Sequence, residues 1–514
     1  MSWIVIGEEK GKIKLVSKTE VDGILPKGSF LTVEDRNMKY ILRVDDSKQH
    51  EPYSPSPMII DMDLEGLYAD QKCQNIIYAY RIKDLTNRED GLIDYIRPQL
   101  KARRSSQDEI DIALGNQDKG AKVFLATIHG GQNQLLIDNN KNFVTANLPD
   151  DMFFHQMLIC GKTGSGKTVA TKYLAQYFIE ELEGAVLAIN VKDIDFLRME
   201  KPSETNNPNT LKEWEVLGKE PKGIQNYKIY YPGSISLNSV RSVNFNYCEK
   251  ITLDVHTIEP EALTGLLHNI SDIGAQSFPN IFRYWQNRVM NNNSTFNEFI
   301  RYFIRIGSGD REFKTLNIRG DENFIILHKG TFENILRNLD IAVEFFDNED
   351  ARIIDETDIL QHGKLSVINV AGTKGIQFGS VVLRHLLRLI VQKKSDQKSD
   401  VPILIIIDEV HQFYNTESSK EALGDLDTIC RTGRSQKIGV IFSSQNPSDI
   451  PRELSSVINT KIFLKPDSIS TRDYGISLYE METLKKGFAV TNIHDMSLLK
   501  VIKFPLSYAG VFDK

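Results

Sequence analysis

The stretch MLICGKTGSGKTVATKYL, Met157 to Leu174, constrains this chain more than any other. Four apolar residues lead into Gly161, then come four more residues, then Gly166-Lys167-Thr168, then a helical pattern. A strand, a glycine-bearing loop and a helix in that order are what a P-loop requires. Glycines let the loop turn its N–H groups inward as an anion nest. The helix that follows offers phosphate the positive end of its dipole and its free N–H groups. The phosphate-binding set is Gly161, Lys162, Thr163, Gly164, Ser165, Gly166, Lys167, Thr168 and Val169. Lys167 is a point charge for the β- and γ-phosphates, and the Thr168 hydroxyl is a ligand for Mg²⁺. AVLAINVKD follows as a second strand, so the unit is βαβ and its sheet is parallel.

Residues 1–150 have a different texture. Short runs such as WIVIG, KIKLVS, SFLTVED, YILRV, NIIYAYRI and KVFLATI alternate between apolar and polar, with Gly, Asp, Asn and Pro between them. Period-two runs at this spacing predict a small β-barrel or sandwich. EPYSPSP, Glu51 to Pro57, reads as a rigid loop within it. A basic cluster, Arg97, Lys101, Arg103 and Arg104, is either a solvated face or a contact for DNA or a partner.

Residues 258–345 carry apolar positions at i, i+3, i+4 and i+7, which predicts a helical bundle. Ser294-Thr295 and Thr331 are candidate caps within it. The bundle stands between the two halves of the site described below, so it reads as an insertion. The expected organisation is 1–150 barrel, 151–257 first part of an α/β core, 258–345 inserted bundle, and 346–514 second part of the core.

In that second part, ILIIIDEVHQF is an apolar strand ending in Asp408-Glu409. A carboxylate at the end of a buried strand is costly unless a cation or a paired donor meets it. Read alone, the pair could be an acidic turn. With a P-loop in the same chain, Asp408 is a candidate Mg²⁺ ligand and Glu409 a candidate general base for the attacking water. IGVIFSSQNPSD ends another strand in Gln445, either a sensor of the γ-phosphate or a turn residue. Arg431 and Arg434, in CRTGRSQK, are either exposed helix-end residues or donors to transition-state charge from a neighbouring subunit.

Composition excludes several classes. A protein that coats DNA nonspecifically is usually basic. With 62 basic and 69 acidic residues, a net charge of −7, any nucleic-acid contact must come from local loops or a pore lining. Four scattered cysteines without a C-x-x-C pair speak against a zinc ribbon or disulfide framework and fit a reducing cytoplasm. No basic n-region precedes an apolar stretch, so no signal peptide is expected. No apolar run approaches the ~20 residues of a membrane span.

FFHQMLICGKTGSGKT, KLSVINVAG, IIIDEVHQF and GRSQKIGVIFSSQNPSDIP together resemble the HerA branch of the HerA/FtsK ATPases. His155, the DE-V-H form of the acidic motif and SQxPSDIP carry the resemblance, which spans residues 150–514. It implies an α/β, RecA-like P-loop core with an inserted helical bundle, preceded by a small N-terminal β-barrel. It also implies a homohexameric ring that uses ATP and Mg²⁺ to translocate double-stranded DNA, usually with a nuclease partner. By this carry-over Lys167, Thr168, Asp408, Glu409 and Gln445 take the roles above. Arg434 matches the subunit-boundary arginine, with Arg431 second. AINVKDIDF departs from the family pattern, so Lys192, Asp193 and Asp195 receive no catalytic role.

The function expected is a cytoplasmic ATP-driven DNA translocase or helicase, working in DNA end processing or antiviral defence. The alternatives are a ring scaffold regulating a defence effector enzyme, or a conjugation or secretion coupling ATPase. The lack of a membrane span weakens the last. The chain ends soon after MSLLKVIKFPLSYAGVFDK, so no winged-helix reader and no sequence-directed translocation are expected.

Overall fold

Strands that are apolar along their whole length need cover on both faces, and a parallel sheet flanked by helices supplies it. The computed structural model describes residues 3–18, 25–36, 38–50, 74–85, 95–115, 119–192, 195–234, 244–267, 271–371, 375–414, 429, 433–450, 452–465 and 477–513. Two compact units form, one from Met1–Asp150 with Ser470–Pro505, the other from Asp151–Ile469 with Leu506–Lys514. The first unit thus takes back a stretch near the C-terminus. EPYSPSP and Arg431 lie outside the described residues.

In the second unit the sheet runs Arg352–Ile353, Cys248–Thr252, Tyr227–Pro232, Leu365–Asn369, Ala185–Asn190, Ile403–Ile407, Ile438–Ser444, Met157–Cys160, Thr460–Phe463. Every neighbouring pair in that order is parallel. The five strands around the site are buried along their whole length. The acid-bearing strand Ile403–Ile407 is one place removed from the P-loop strand, and Ile438–Ser444 lies between them. This is the RecA-like α/β arrangement. It brings the C-terminal ends of all three strands to one edge, where open α/β sheets bind ligands.

Gln156, fully buried, fixes the start of the P-loop strand at a left-handed φ of 57°. Its side-chain oxygen accepts from the Val440 N–H at 2.7 Å and its carbonyl from the Thr460 N–H at 3.3 Å. One residue therefore ties the P-loop strand to both neighbours.

Residues 258–345 form helices Asp272–Arg288, Phe296–Gly307 and Lys329–Ala342. Between the last two lies an antiparallel hairpin, Glu312–Leu316 with Glu322–Ile326, which helical periodicity did not foresee. Phe278, Phe282, Trp285, Phe296, Phe299 and Phe303 are buried together. The Phe299 ring stands 4.9 Å from Phe282 and 5.3 Å from Trp285, centroid to centroid. The hairpin joins through Phe313, 4.8 Å from Phe303. Phe299→Ala should destabilise this insertion by about 3–5 kcal/mol, the usual cost of emptying a buried aromatic site. Urea unfolding followed by tryptophan emission, in which Trp285 reports the cluster, should show an earlier transition. An unchanged midpoint would contradict this packing.

The first unit holds a closed antiparallel barrel. Its strands are Trp3–Glu9, Lys12–Lys18, Gln74–Asp84, Met38–His50, Phe30–Asp35 and Lys101–Arg104, in spatial order. Trp3, Val5, Leu15, Leu31, Tyr40 and Ile77 fill its interior. The barrel closes by residue 104. Ala121–His129, Gln132–Leu135 and Thr145–Leu148 instead build an antiparallel sheet with Phe488–Asn492 and Val501–Lys503. Much of the basic cluster is neutralised within the barrel. Arg97 donates to Asp35 at 2.6 Å, and Arg103 reaches both Glu34 and Glu109 at 2.7 Å.

Candidate active site

The loop after Met157–Cys160 needs glycine for two different reasons. A Cβ on Gly161 would overlap the Leu464 carbonyl of the neighbouring strand. Gly166 stands at φ 105°, where L side chains are strained, and caps the helix Lys167–Glu180. The loop is pinned at its base, where the Gly161 N–H donates to the Ser444 carbonyl and the Lys162 N–H to the Lys465 carbonyl, each at 3.1 Å. Lys162, Thr163 and Gly164 form the exposed tip, while Ser165 and Lys167 are buried and Thr168 and Val169 half-buried.

Lys167 is 5% exposed and donates to the carbonyls of Gly161 and Lys162. Burial holds its pKa below the ordinary lysine value. A phosphate beside it would offset that desolvation. The Ser165 hydroxyl is buried in the loop without a hydrogen-bond partner. An anion nest with an orphaned hydroxyl and an under-solvated ammonium fits the phosphates of a nucleotide.

At the end of the acid strand, Asp408 is 5% and Glu409 1% exposed. Asp408 accepts from the Ser443 hydroxyl at 2.8 Å, so the intervening strand orients it. Its pKa is raised, first by burial and against the pull of Lys192 and Ser443. Glu409 sits at φ 46°, left-handed backbone for a non-glycine residue. Such strain persists only where surroundings over-determine it, and it clusters at functional sites. The following Val410 N–H donates to the Ser443 carbonyl at 3.1 Å and helps hold the turn. The Gln445 amide lies 3.4 Å from each Glu409 oxygen, and His411 Nδ1 lies 3.6 Å from Oε2.

Sequence reasoning passed over two residues here. Lys192, just past Ala185–Asn190, places its ammonium 2.6 Å from Glu409 and 4.0 Å from Asp408. Burial works against its charge, yet Glu409 and Asp408 hold its pKa above the ordinary value. Asp195 accepts from the Thr168 hydroxyl at 3.3 Å. Asp193 lies outside the described residues. No local pattern around AINVKDIDF announces these contacts, because the partners come from the end of the acid strand and from the helix after the P-loop.

The donor set suits Mg²⁺. Mg²⁺ binds through one or two carboxylates, waters and substrate phosphates rather than an all-protein cage. Buried Asp408, and Thr168 with Asp195 beside it, match that chemistry. Among the described residues no group of three His, Cys, Asp or Glu is placed as a metal cage. Arg434 is elsewhere. It is 63% exposed and pairs with Asp151 at 3.5 Å. Burial pushes the Cys160 thiol, at the P-loop strand's end, up to about 12, so it stays protonated and inert.

The profile of the family described as "Helicase HerA, central domain" matches residues 136–390, which include the whole P-loop. Residues 136–390 of this chain are a HerA-type central domain. Among similar proteins are those described as DNA double-strand break repair helicase HerA. The one from Sulfurisphaera tokodaii is 26% identical over 190 residues, covering 33% of this chain and 38% of its own length. The one from Saccharolobus solfataricus is 25% identical over 236 residues, covering 40% of this chain and 46% of its own. The alignments thus span less than half of these HerA relatives. Solved structures with a partial likeness include the plasmid coupling protein TrwB with a non-hydrolysable GTP analogue. It has a TM-score of 0.48 and 12% identity, covering 80% of this chain and 95% of that one. VirB4 of Thermoanaerobacter pseudethanolicus has a TM-score of 0.45 and 11% identity, covering 77% and 98%. The family profile ends before Asp408-Glu409, so this chain's own geometry ties the acids to the HerA-type P-loop.

Proposed function

We propose that this HerA-type chain is an ATP-hydrolysing motor that assembles as a homohexamer and translocates double-stranded DNA. One observation carries the reading: Lys167, Thr168, Asp408, Glu409 and Gln445 converge on one edge of a parallel sheet, from segments far apart in sequence. Lys167 neutralises the β- and γ-phosphates. Thr168 and Asp408 hold Mg²⁺, which when bound offsets phosphate charge. Glu409 accepts the proton of the attacking water, and Gln445, in contact with its carboxylate, orients that water. Arg434, exposed and paired with the surface acid Asp151, is the candidate finger delivered to a neighbouring subunit, with Arg431 as the alternative.

DNA is the proposed substrate because the similar curated proteins are described as DNA double-strand break repair helicases. A nuclease or another effector protein is the proposed partner, in end processing or antiviral defence, with the cytoplasm as the proposed compartment. Among the described residues no helix is long and apolar enough to cross a membrane.

Linear duplex DNA should raise the ATPase rate of the assembled protein several-fold, with a steep loss as salt rises. Arg434→Ala should lower turnover about 10³-fold while leaving ATP affinity within a factor of two. Mixed with a Lys167→Ala chain that keeps its arginine, it should regain part of the rate. Light scattering should place the active species at a ring mass. An active monomer, or no recovery in the mixture, would contradict delivery between subunits. Stimulation by a partner protein but not by DNA would favour the scaffold over the motor.

A further inference from the structure

Lys192 is not part of the P-loop or the acid strand, yet it is the cation that touches both carboxylates. Its backbone is fixed. Asn190, fully buried, donates to the Lys192 carbonyl at 2.5 Å and to Asn369 at 2.9 Å, and accepts from the Phe196 N–H at 3.0 Å. Its side chain is not fixed to the same degree, being 39% exposed beside a Glu409 carboxylate that is 2% exposed. An anchored Cα with a half-open four-carbon stem lets a compact ammonium exchange one anion for another nearby. The Lys192 charge lowers the Lys167 pKa, so the two ammoniums lie within electrostatic reach of one another. A terminal phosphate beside Lys167 would stand close to two buried carboxylates. Like charges at such range in a low-dielectric site repel strongly; Mg²⁺ on Asp408 would offset part of that, and a cation beside Glu409 would offset more.

We propose that Lys192 is a positioning residue shared between the Glu409 carboxylate and the terminal phosphate of a nucleoside triphosphate. On triphosphate binding the ammonium exchanges Glu409 for the phosphate and leaves the carboxylate to Gln445 and the attacking water. A diphosphate lacks the group that draws Lys192 away, so Glu409 stays paired. The site thereby discriminates triphosphate from diphosphate and exposes its base only when the bond to be cut is present. The proposal rests on the nucleotide reading given above.

The test holds hydrolysis off with Glu409→Gln and measures Mg²⁺-ATPγS and Mg²⁺-ADP affinities by calorimetry. Adding Lys192→Met should weaken ATPγS at least tenfold while ADP stays within twofold, and Lys192→Arg should recover most of the loss. Equal shifts for both nucleotides, or none, overturn the proposal. If Glu409→Gln alone binds neither nucleotide, the P-loop reading fails with it. A second measurement uses the unaltered chain. Acylation of Lys192 by an amine-reactive ester, followed by mass spectrometry, should be several-fold slower with Mg²⁺-ATPγS than with Mg²⁺-ADP. Equal rates would overturn the exchange.

Discussion

Lys167→Ala is expected to abolish nucleotide binding at working concentrations and ATP turnover with it. The Lys167 ammonium is the buried cation of the loop, held on the Gly161 and Lys162 carbonyls at the end of a glycine-capped helix. Removing one partner of a buried charge pair costs about 2–5 kcal/mol, or about 30- to 4,000-fold in affinity. Calorimetry with ATPγS and a phosphate-release assay both read the loss. The fold should persist, because the Lys167 side chain spans loop carbonyls rather than the apolar core. A variant that binds nucleotide normally would remove the P-loop from the chemistry.

Glu409→Gln is expected to separate binding from hydrolysis. The amide keeps the shape of the side chain but cannot take a proton from water. Losing a positioned general base typically lowers the rate about 10²–10⁴-fold. Nucleotide affinity should hold or rise, since a buried negative charge near the phosphates is gone. Asp408 should behave differently. Its carboxylate rests on Ser443 and is the proposed Mg²⁺ ligand, so replacing it should weaken binding itself.

The P-loop and the Asp408-Glu409 pair were legible in sequence because their chemistry demands particular residues at fixed spacing beside apolar strands. The barrel's alternating strands and the buried strands of the core were legible for the same kind of reason, a period of two or an unbroken apolar run. Other features depend on partners distant along the chain. Lys192 meets Glu409 only because Ala185–Asn190 and Ile403–Ile407 are neighbours in the sheet. Gln156 is an ordinary polar residue until Val440 and Thr460 come beside it. The Glu312–Ile326 hairpin was hidden by its setting between two amphipathic helices. Its second strand, ENFII, is largely exposed and lacks the alternation of a half-buried strand. The strands after residue 120 read like further barrel strands, and nothing local shows that Ala121–His129 pairs with Val501–Lys503 instead.

The central claim is that Lys167 and Glu409 belong to one hydrolytic centre, built by the P-loop and the acid strand. Phosphate release and retained ATP, measured on the same samples of the unaltered protein, Lys167→Ala and Glu409→Gln, test it most directly. The account predicts release by the unaltered protein, neither release nor retention by Lys167→Ala, and retention without release by Glu409→Gln. Phosphate release by Glu409→Gln at the unaltered rate would contradict it.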